Sequence, residues 1–177
     1  MKHISIQYYK SPLGELILGA YKEQLCLCDW RYRKMRQSID SRITKGLNAD
    51  YKKESSVIID QAIQQLEDYF NGERTTFDLP LLFVGTDFQK KVWKSLLAIP
   101  WGQTNSYLEL SRALANEKAI RAVASANGAN AISIIVPCHR IIGNDGKLVG
   151  YAGGLSAKQK LLQLEGAIPE QQLTLFE

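Results

Sequence analysis

Apolar residues change their spacing along this chain, and the change limits which folds are open to it. Residues 4–9, 14–21 and 24–30 form three short runs rich in aliphatic and aromatic side chains, separated by Ser11-Pro12 and Lys22-Glu23. Short runs broken by turn residues predict three strands in meander order. From Ser56 the spacing turns helical, with Ile58, Ile59, Ala62, Ile63, Leu66, Tyr69 and Phe70 on one face until Asn71-Gly72. A helix with one apolar face must bury it, and the sheet is the expected partner.

The second half reads differently. Residues 75–83, with Pro80 among them, form a connector, and Gly85-Thr86-Asp87 supplies turn and N-cap chemistry for a helix over 88–98. Two shorter helices are predicted over 107–114 and 117–126, and their junction at Ala115-Asn116 suggests helix-turn-helix geometry. A helix over 156–165 follows, then a polar tail expected to fray. The expected boundary near residue 83 divides the chain into units 1–83 and 84–177.

At 177 residues, 45% of them hydrophobic, the chain can bury a substantial core. No apolar run approaches the roughly 18 residues of a membrane span, and the first residues lack a secretory apolar segment, so a cytoplasmic protein is expected. Three cysteines (Cys26, Cys28 and Cys138) cannot all pair, which suits a reducing compartment. Net charge is +4; residues 1–83 carry 12 Lys+Arg against 11 Asp+Glu, and residues 84–177 carry 10 against 7. That balance permits a nucleic-acid partner without requiring one. Arg31, Arg33, Lys34 and Arg36 form a basic cluster that either touches phosphate or lies as a solvated loop face, the second being the expectation.

Val136-Pro137-Cys138-His139-Arg140 places a thiol, an imidazole and a guanidinium in succession after an apolar run. Proline fixes its own φ and lacks an N–H, so a strand over 132–136 is predicted to stop there and present Cys138 at a turn. A cysteine reacts as thiolate and needs a group to take its proton. His139 is adjacent, but neighbouring residues point apart, so contact is either direct or through a water. An imidazole that accepts a proton gains from a carboxylate behind it, and Glu165, at the end of the last helix, is a candidate.

Several motifs occur together and in order. They include Phe88-Gln89-Lys90-Lys91-Val92-Trp93, Ile99-Pro100-Trp101-Gly102-Gln103-Thr104, Ser106-Tyr107 and Ala119-Ile120-Arg121-Ala122-Val123. Asn127-Gly128-Ala129-Asn130, Ile135-Val136-Pro137-Cys138-His139-Arg140, Gly150-Tyr151-Ala152-Gly153-Gly154 and Glu165-Gly166 complete the set. In these the chain closely resembles the O6-alkylguanine-DNA alkyltransferases, also called methylated-DNA-protein-cysteine methyltransferases, above all their bacterial forms. The resemblance is continuous over 86–166; upstream, Ser11-Pro12-Leu13-Gly14 and Tyr69-Phe70-Asn71-Gly72-Glu73 match, whereas residues 31–55 match nothing.

The resemblance implies a mixed α+β architecture, with a small ribonuclease-H-like sheet-plus-helix domain followed by a mostly helical, winged-helix-like domain with a helix-turn-helix. It implies DNA repair by irreversible transfer of an alkyl group from O6-alkylguanine, with O4-alkylthymine as a second lesion, to Cys138. Such a protein is consumed by one reaction and needs no cofactor. His139 and Glu165 carry over as a proton relay through water, and Asn130 as the hinge beside the reactive segment. Tyr107 carries over as the donor to the departing guanine and Arg121 as the residue filling the vacated stack. Ala122, Ser125 and Ala126 would allow close approach to the minor groove of duplex DNA, with Arg140 as a further DNA contact. Pro137, Tyr151, Ala152 and Gly153 are assigned to the base pocket. A monomer acting on flipped nucleotides is expected.

Some relatives hold a zinc, but neither His3 nor the two N-terminal cysteines match its ligands. A Cys-x-Cys on a strand points both thiols to one face and lacks the usual zinc spacing, so no metal is expected at Cys26 and Cys28. Two other readings remain. One is a lesion-binding relative that does not repair, which lacks the acceptor cysteine retained here. The other is a cysteine hydrolase built from Cys138, His139 and Glu165, which has no evident oxyanion site.

Overall fold

The computed structural model describes residues 2–170; the tail expected to fray lies outside them from 171 onward. Three strands, β1 (His3–Ser11), β2 (Gly14–Tyr21) and β3 (Gln24–Trp30), form the antiparallel meander. A helix and a strand that the sequence did not suggest follow them: α1 (Arg36–Leu47) and β4 (Asp50–Lys53), the latter parallel to β1 at the sheet edge. Strand order is β3-β2-β1-β4. Both additions are polar for physical reasons. α1 buries only Ile39 and Ile43, one turn apart, and β4 is a four-residue edge strand with mostly exposed side chains.

Helix α2 (Val57–Phe70) covers one face of the sheet through Ile59, Ala62, Leu66 and Tyr69, while α1 covers the other. The β3 ladder carries a bulge opposite Gly19/Ala20. Because a bulge adds one residue to one strand, it overturns the simple alternation expected of Cys26 and Cys28. Cys26 packs in the α1-side core with Ile39 and Ile43, and Cys28 packs in the α2-side core with Ile59 and Leu66. The two thiols therefore do not share a face.

The second half holds α3 (Asp87–Leu96), α4 (Tyr107–Ala113), a 3-10 turn at Glu117–Ala119, α5 (Ile120–Gly128) and, last, α6 (Leu155–Leu164). Capping boxes start α3 and α4: the Thr86 hydroxyl accepts from the Gln89 N–H, and Ser106 does the same for Glu109. A two-residue parallel pair, β5 (Asn105–Ser106) and β6 (Ile141–Ile142), ties the entry of α4 to the segment after Cys138.

Residues 132–136 are not a strand. Only Ile132 bridges, to Cys28, and the rest turn tightly, with the Val136 N–H donating to the Ile132 carbonyl at 2.9 Å and Ile134 at φ +70°. An apolar run can be a buried loop where a side chain satisfies its backbone, and here Asn130 does so.

The two halves share one core. Leu16, Trp30, Leu66 and Tyr69 from the first pack with Trp93, Leu110, Val123, Val136 and Leu161 from the second. Strand β3 is the seam. Its Leu25 N–H donates to Pro80, the Leu82 N–H returns to Leu25, and beyond these Cys28 pairs with Ala131 and Ser133 at 2.9 and 2.6 Å. The connector and the segment leading to Cys138 thus cover what would be an open sheet edge.

Candidate active site

Cys138 opens a three-residue 3-10 turn (Cys138–Arg140) after Pro137, and only 5% of it is exposed. It lies on a cavity of about 770 Å³ that Tyr107, Asn127, Gly128, Asn130 and Tyr151 also line. Asn130 holds the segment leading to it. Its side-chain amide donates to the Val136 carbonyl at 3.0 Å and its oxygen accepts from the Ile132 N–H at 3.0 Å. Burial pushes the Cys138 thiol up, partly offset by the Asn130 amide, so the resting group is a thiol that must lose its proton during reaction.

His139 is fully buried, and its Nε2 lies 2.7 Å from Glu165 Oε1. Its other nitrogen, Nδ1, is buried without a hydrogen-bond partner among the described residues. If Nε2 carries the hydrogen toward Glu165, Nδ1 presents a lone pair and is the base. Burial lowers the pKa of His139 while Glu165 pulls it upward; the desolvation effect is larger, so the imidazole rests neutral.

Burial opposes the charge on Glu165, yet hydrogen bonds from His139 and Arg140 hold its carboxyl down to about 2. Arg140 donates from Nε to Oε2 at 2.9 Å and from Nη2 to Oε1 at 3.0 Å, a two-pronged pairing, and from Nη1 to the Ile99 carbonyl. The Tyr69 hydroxyl adds a fourth donor, 2.7 Å from Oε1. This arrangement corrects the sequence expectation for Arg140, which is buried in the protein rather than turned toward DNA. A guanidinium beside a reactive cysteine reads as a surface charge, but Glu165 needed a permanent counter-ion.

Along α5, Arg121, Ala122 and Ser125 are exposed. Ala126 is buried, and its carbonyl accepts from Trp93 Nε1 at 2.8 Å, so it faces inward rather than toward a groove. Pro137 is also buried and does not line the cavity, whereas Tyr151, Ala152 and Gly153 do. Tyr151 meets Trp30 of β3 edge to face, with ring centroids 5.9 Å apart, and its hydroxyl accepts from Trp30 Nε1 at 3.2 Å.

Two residues of this site escaped the sequence. Tyr69 read as an apolar helix position and as part of a matching motif, with no role in the site. Lys158 is buried on α6, and its Nζ donates to the Ile141, Val149 and Gly150 carbonyls, pinning β6 and the start of the Tyr151 loop. Burial draws its pKa down to about 8. Its spacing was the available signal, since Lys158 lies three and four residues before the buried Leu161 and Leu162.

Gly153 lies flat on Trp30: a Cβ there would meet the indole at 2.5 Å. Gly153→Ala is expected to force Trp30 and Tyr151 apart, costing about 1–3 kcal/mol of stability as overpacking does. Denaturant unfolding together with near-ultraviolet dichroism of the Trp30 environment would measure both effects, and an unchanged midpoint would contradict the close packing.

Sequence comparison bears on this site. The family model described as "6-O-methylguanine DNA methyltransferase, ribonuclease-like domain" matches residues 4–83, and its DNA binding domain counterpart matches residues 87–167. A methylated-DNA--protein-cysteine methyltransferase of Methanosarcina barkeri is 44% identical over 156 residues, 88% of this chain and 93% of that one. The chain belongs to the 6-O-methylguanine DNA methyltransferase family.

Solved structures agree with that membership. The Mycobacterium tuberculosis O6-methylguanine methyltransferase, 41% identical, superposes over all of both chains with a TM-score of 0.77. A structure of the M. tuberculosis protein OGT in complex with DNA, 40% identical, covers 92% of this chain and 93% of its own with a TM-score of 0.78. The family architecture is therefore the mixed α+β one described above, a small sheet domain followed by a helical domain. Among the described residues no helix is long and apolar enough to cross a membrane, and no group of three His, Cys, Asp or Glu side chains could hold a metal.

Proposed function

We propose that this protein reverses DNA alkylation directly, moving a methyl or other alkyl group from O6 of guanine to Sγ of Cys138. The observation that carries this reading is the unpartnered Nδ1 of His139, a neutral base with Glu165 behind it, next in sequence to a protonated cysteine on a cavity. The thiol proton passes to Nδ1, directly or through one water, as sulfur attacks the alkyl carbon. The carbon–oxygen bond breaks and its electron pair leaves with the guanine. Tyr107, whose phenol burial and the neighbouring Cys138 keep protonated, donates a hydrogen bond to that anion. The proton held by His139 then balances the guanine back to neutral. The product is a thioether, which water does not cleave, so each molecule reacts once.

Support for duplex DNA as the partner comes from α5, whose exposed Arg121, Ala122 and Ser125 combine a cation with small residues suited to the minor groove. The target nucleotide leaves the stack at a cost of a few kcal/mol, and Arg121 fills its place. Asn130 is the hinge that holds the acceptor segment. One chain supplies every group named, so a monomer suffices.

Intact mass tests the proposal. Incubation with excess O6-methylguanine duplex should add the mass of one methylene per protein and no more, and peptide mapping should place it on the peptide holding Cys138. Modification elsewhere, or demethylation of many duplexes per protein, would defeat the proposal.

A further inference from the structure

The cavity at Cys138 has a wall that the helical half does not supply. Tyr32, Arg33, Lys34 and Met35, between β3 and α1, line it together with Ala124, Asn127 and Gly128 of α5. This is the basic stretch expected to be a solvated loop, and the structure separates its members. Arg31 pairs with Glu15 at 3.1 Å and lies over the Tyr8 ring. Arg33 and Arg36 both pair with the buried Asp29, at 3.1 and 2.9 Å. Lys34 is exposed and makes no ion pair or hydrogen bond among the described residues. Tyr32 and Met35 beside it are 77% and 47% exposed, large apolar side chains at the cavity rim.

This wall is held against the helix that faces DNA in the proposed function. Arg33 donates from Nη2 to the Gly128 carbonyl and from Nη1 to the Asn130 carbonyl at 3.1 Å, so residues 32–35 are fixed to the end of α5. The cavity also exceeds the base. O6-methylguanine has about 12 non-hydrogen atoms, and covalently bonded atoms each occupy less than the roughly 30 Å³ of a molecule in liquid water, so the base fills less than half of the space. A purine with its sugar and phosphate suits the remainder. A free cation flanked by an aromatic ring and a thioether is the chemistry that holds a nucleotide by phosphate, sugar and base face.

We propose that Lys34 pairs with a backbone phosphate of the extruded nucleotide, while Tyr32 and Met35 pack on its sugar and exposed base edge. The N-terminal unit then takes part directly in lesion capture. This inference rests on the reading of Cys138 as acceptor for an extruded alkylguanine, and the test separates the two.

Binding would be measured in a Cys138→Ala background, so that no transfer occurs, over a series of salt concentrations with O6-methylguanine duplex and with unmodified duplex. One phosphate contact contributes about 0.9 to the slope of log affinity against log salt. Lys34→Gln should lower that slope by about one on the lesion duplex and not on unmodified DNA. Lys53→Gln, the same charge change on β4 at the far edge of the sheet, should leave it unaltered. Equal slopes for the two variants would overturn the inference, and so would an equal fall on both duplexes, which would assign Lys34 to general backbone binding. Methyl uptake by the unsubstituted protein from lesion duplex, followed in parallel, tests the underlying reading: without uptake that reading fails, whatever Lys34 does.

Discussion

Glu165→Ala should be among the most damaging single substitutions in this protein, destabilising it by about 3–5 kcal/mol, the usual cost of removing one partner of a buried ion pair. Glu165 accepts hydrogen bonds from Arg140, Tyr69 and His139, and all three residues lie with it inside the protein. Its removal would leave the Arg140 guanidinium, 7% exposed, without a counter-charge. Denaturant titration with a two-state fit would read the loss.

Glu165→Gln keeps the shape and one acceptor while deleting the charge, so it too strips Arg140 of its counter-charge, and transfer measured on the folded protein, below its unfolding range, reads the chemistry. With no carboxylate to stabilise the imidazolium, proton uptake by His139 becomes harder, and single-turnover alkyl transfer should slow by about 10²-fold, the low end of what general acid–base catalysis contributes. Transfer at the unaltered rate would remove Glu165 from the relay. The carboxyl also sets an acid limb of stability. Its folded pKa is depressed to about 2 from an ordinary 4.5, so its contribution is fully present above 4.5 and is lost as pH falls toward 2. The unaltered protein should weaken steeply in that window, and Glu165→Gln should weaken less steeply.

Local chemistry was legible in the sequence where it depended on neighbours, and illegible where it depended on distant partners. Pro137-Cys138-His139 announced a presented thiol with a base beside it, whereas Glu165 by its spacing alone was an ordinary helix-end acid and took its role from the family resemblance. Arg140 misled because its reason for being there, a carboxylate 25 positions away, leaves no mark in the local pattern. Residues 132–136 misled in the opposite way. Four apolar letters and a serine match a strand, and the turn they make depends on one amide side chain, Asn130, doing the hydrogen bonding a sheet would otherwise supply. Helix α1 was missed because its stripe is two isoleucines wide, so the 3.6-residue period is too faint to see. The bulge that separates Cys26 from Cys28 lies in the pairing of β2 with β3, which no reading of β3 alone contains.

The same dependence on distant partners underlies a second large effect, expected at Asp29. This carboxylate sits at the end of β3 with no exposure, and it receives Arg33, Arg36 and the Ser133 hydroxyl, the last at 3.0 Å. Burial pushes its pKa up and the two guanidiniums pull it down, so the charge is tolerated only because the arginines face it. Asp29→Ala should cost about 3–5 kcal/mol by leaving Arg33, itself 5% exposed, unpaired. Arg33 also grips the Gly128 and Asn130 carbonyls, so the damage should extend to the segment that carries Cys138. The double variant Asp29→Leu with Arg33→Met distinguishes stability from positioning. Removing both charges should restore much of the lost stability, since buried pairs are often replaceable by apolar side chains of similar volume. It should not restore alkyl transfer, because the Gly128 and Asn130 carbonyls then lose the guanidinium that grips them. A double variant that regains both stability and transfer would show that Asp29 and Arg33 stabilise the fold without positioning the acceptor.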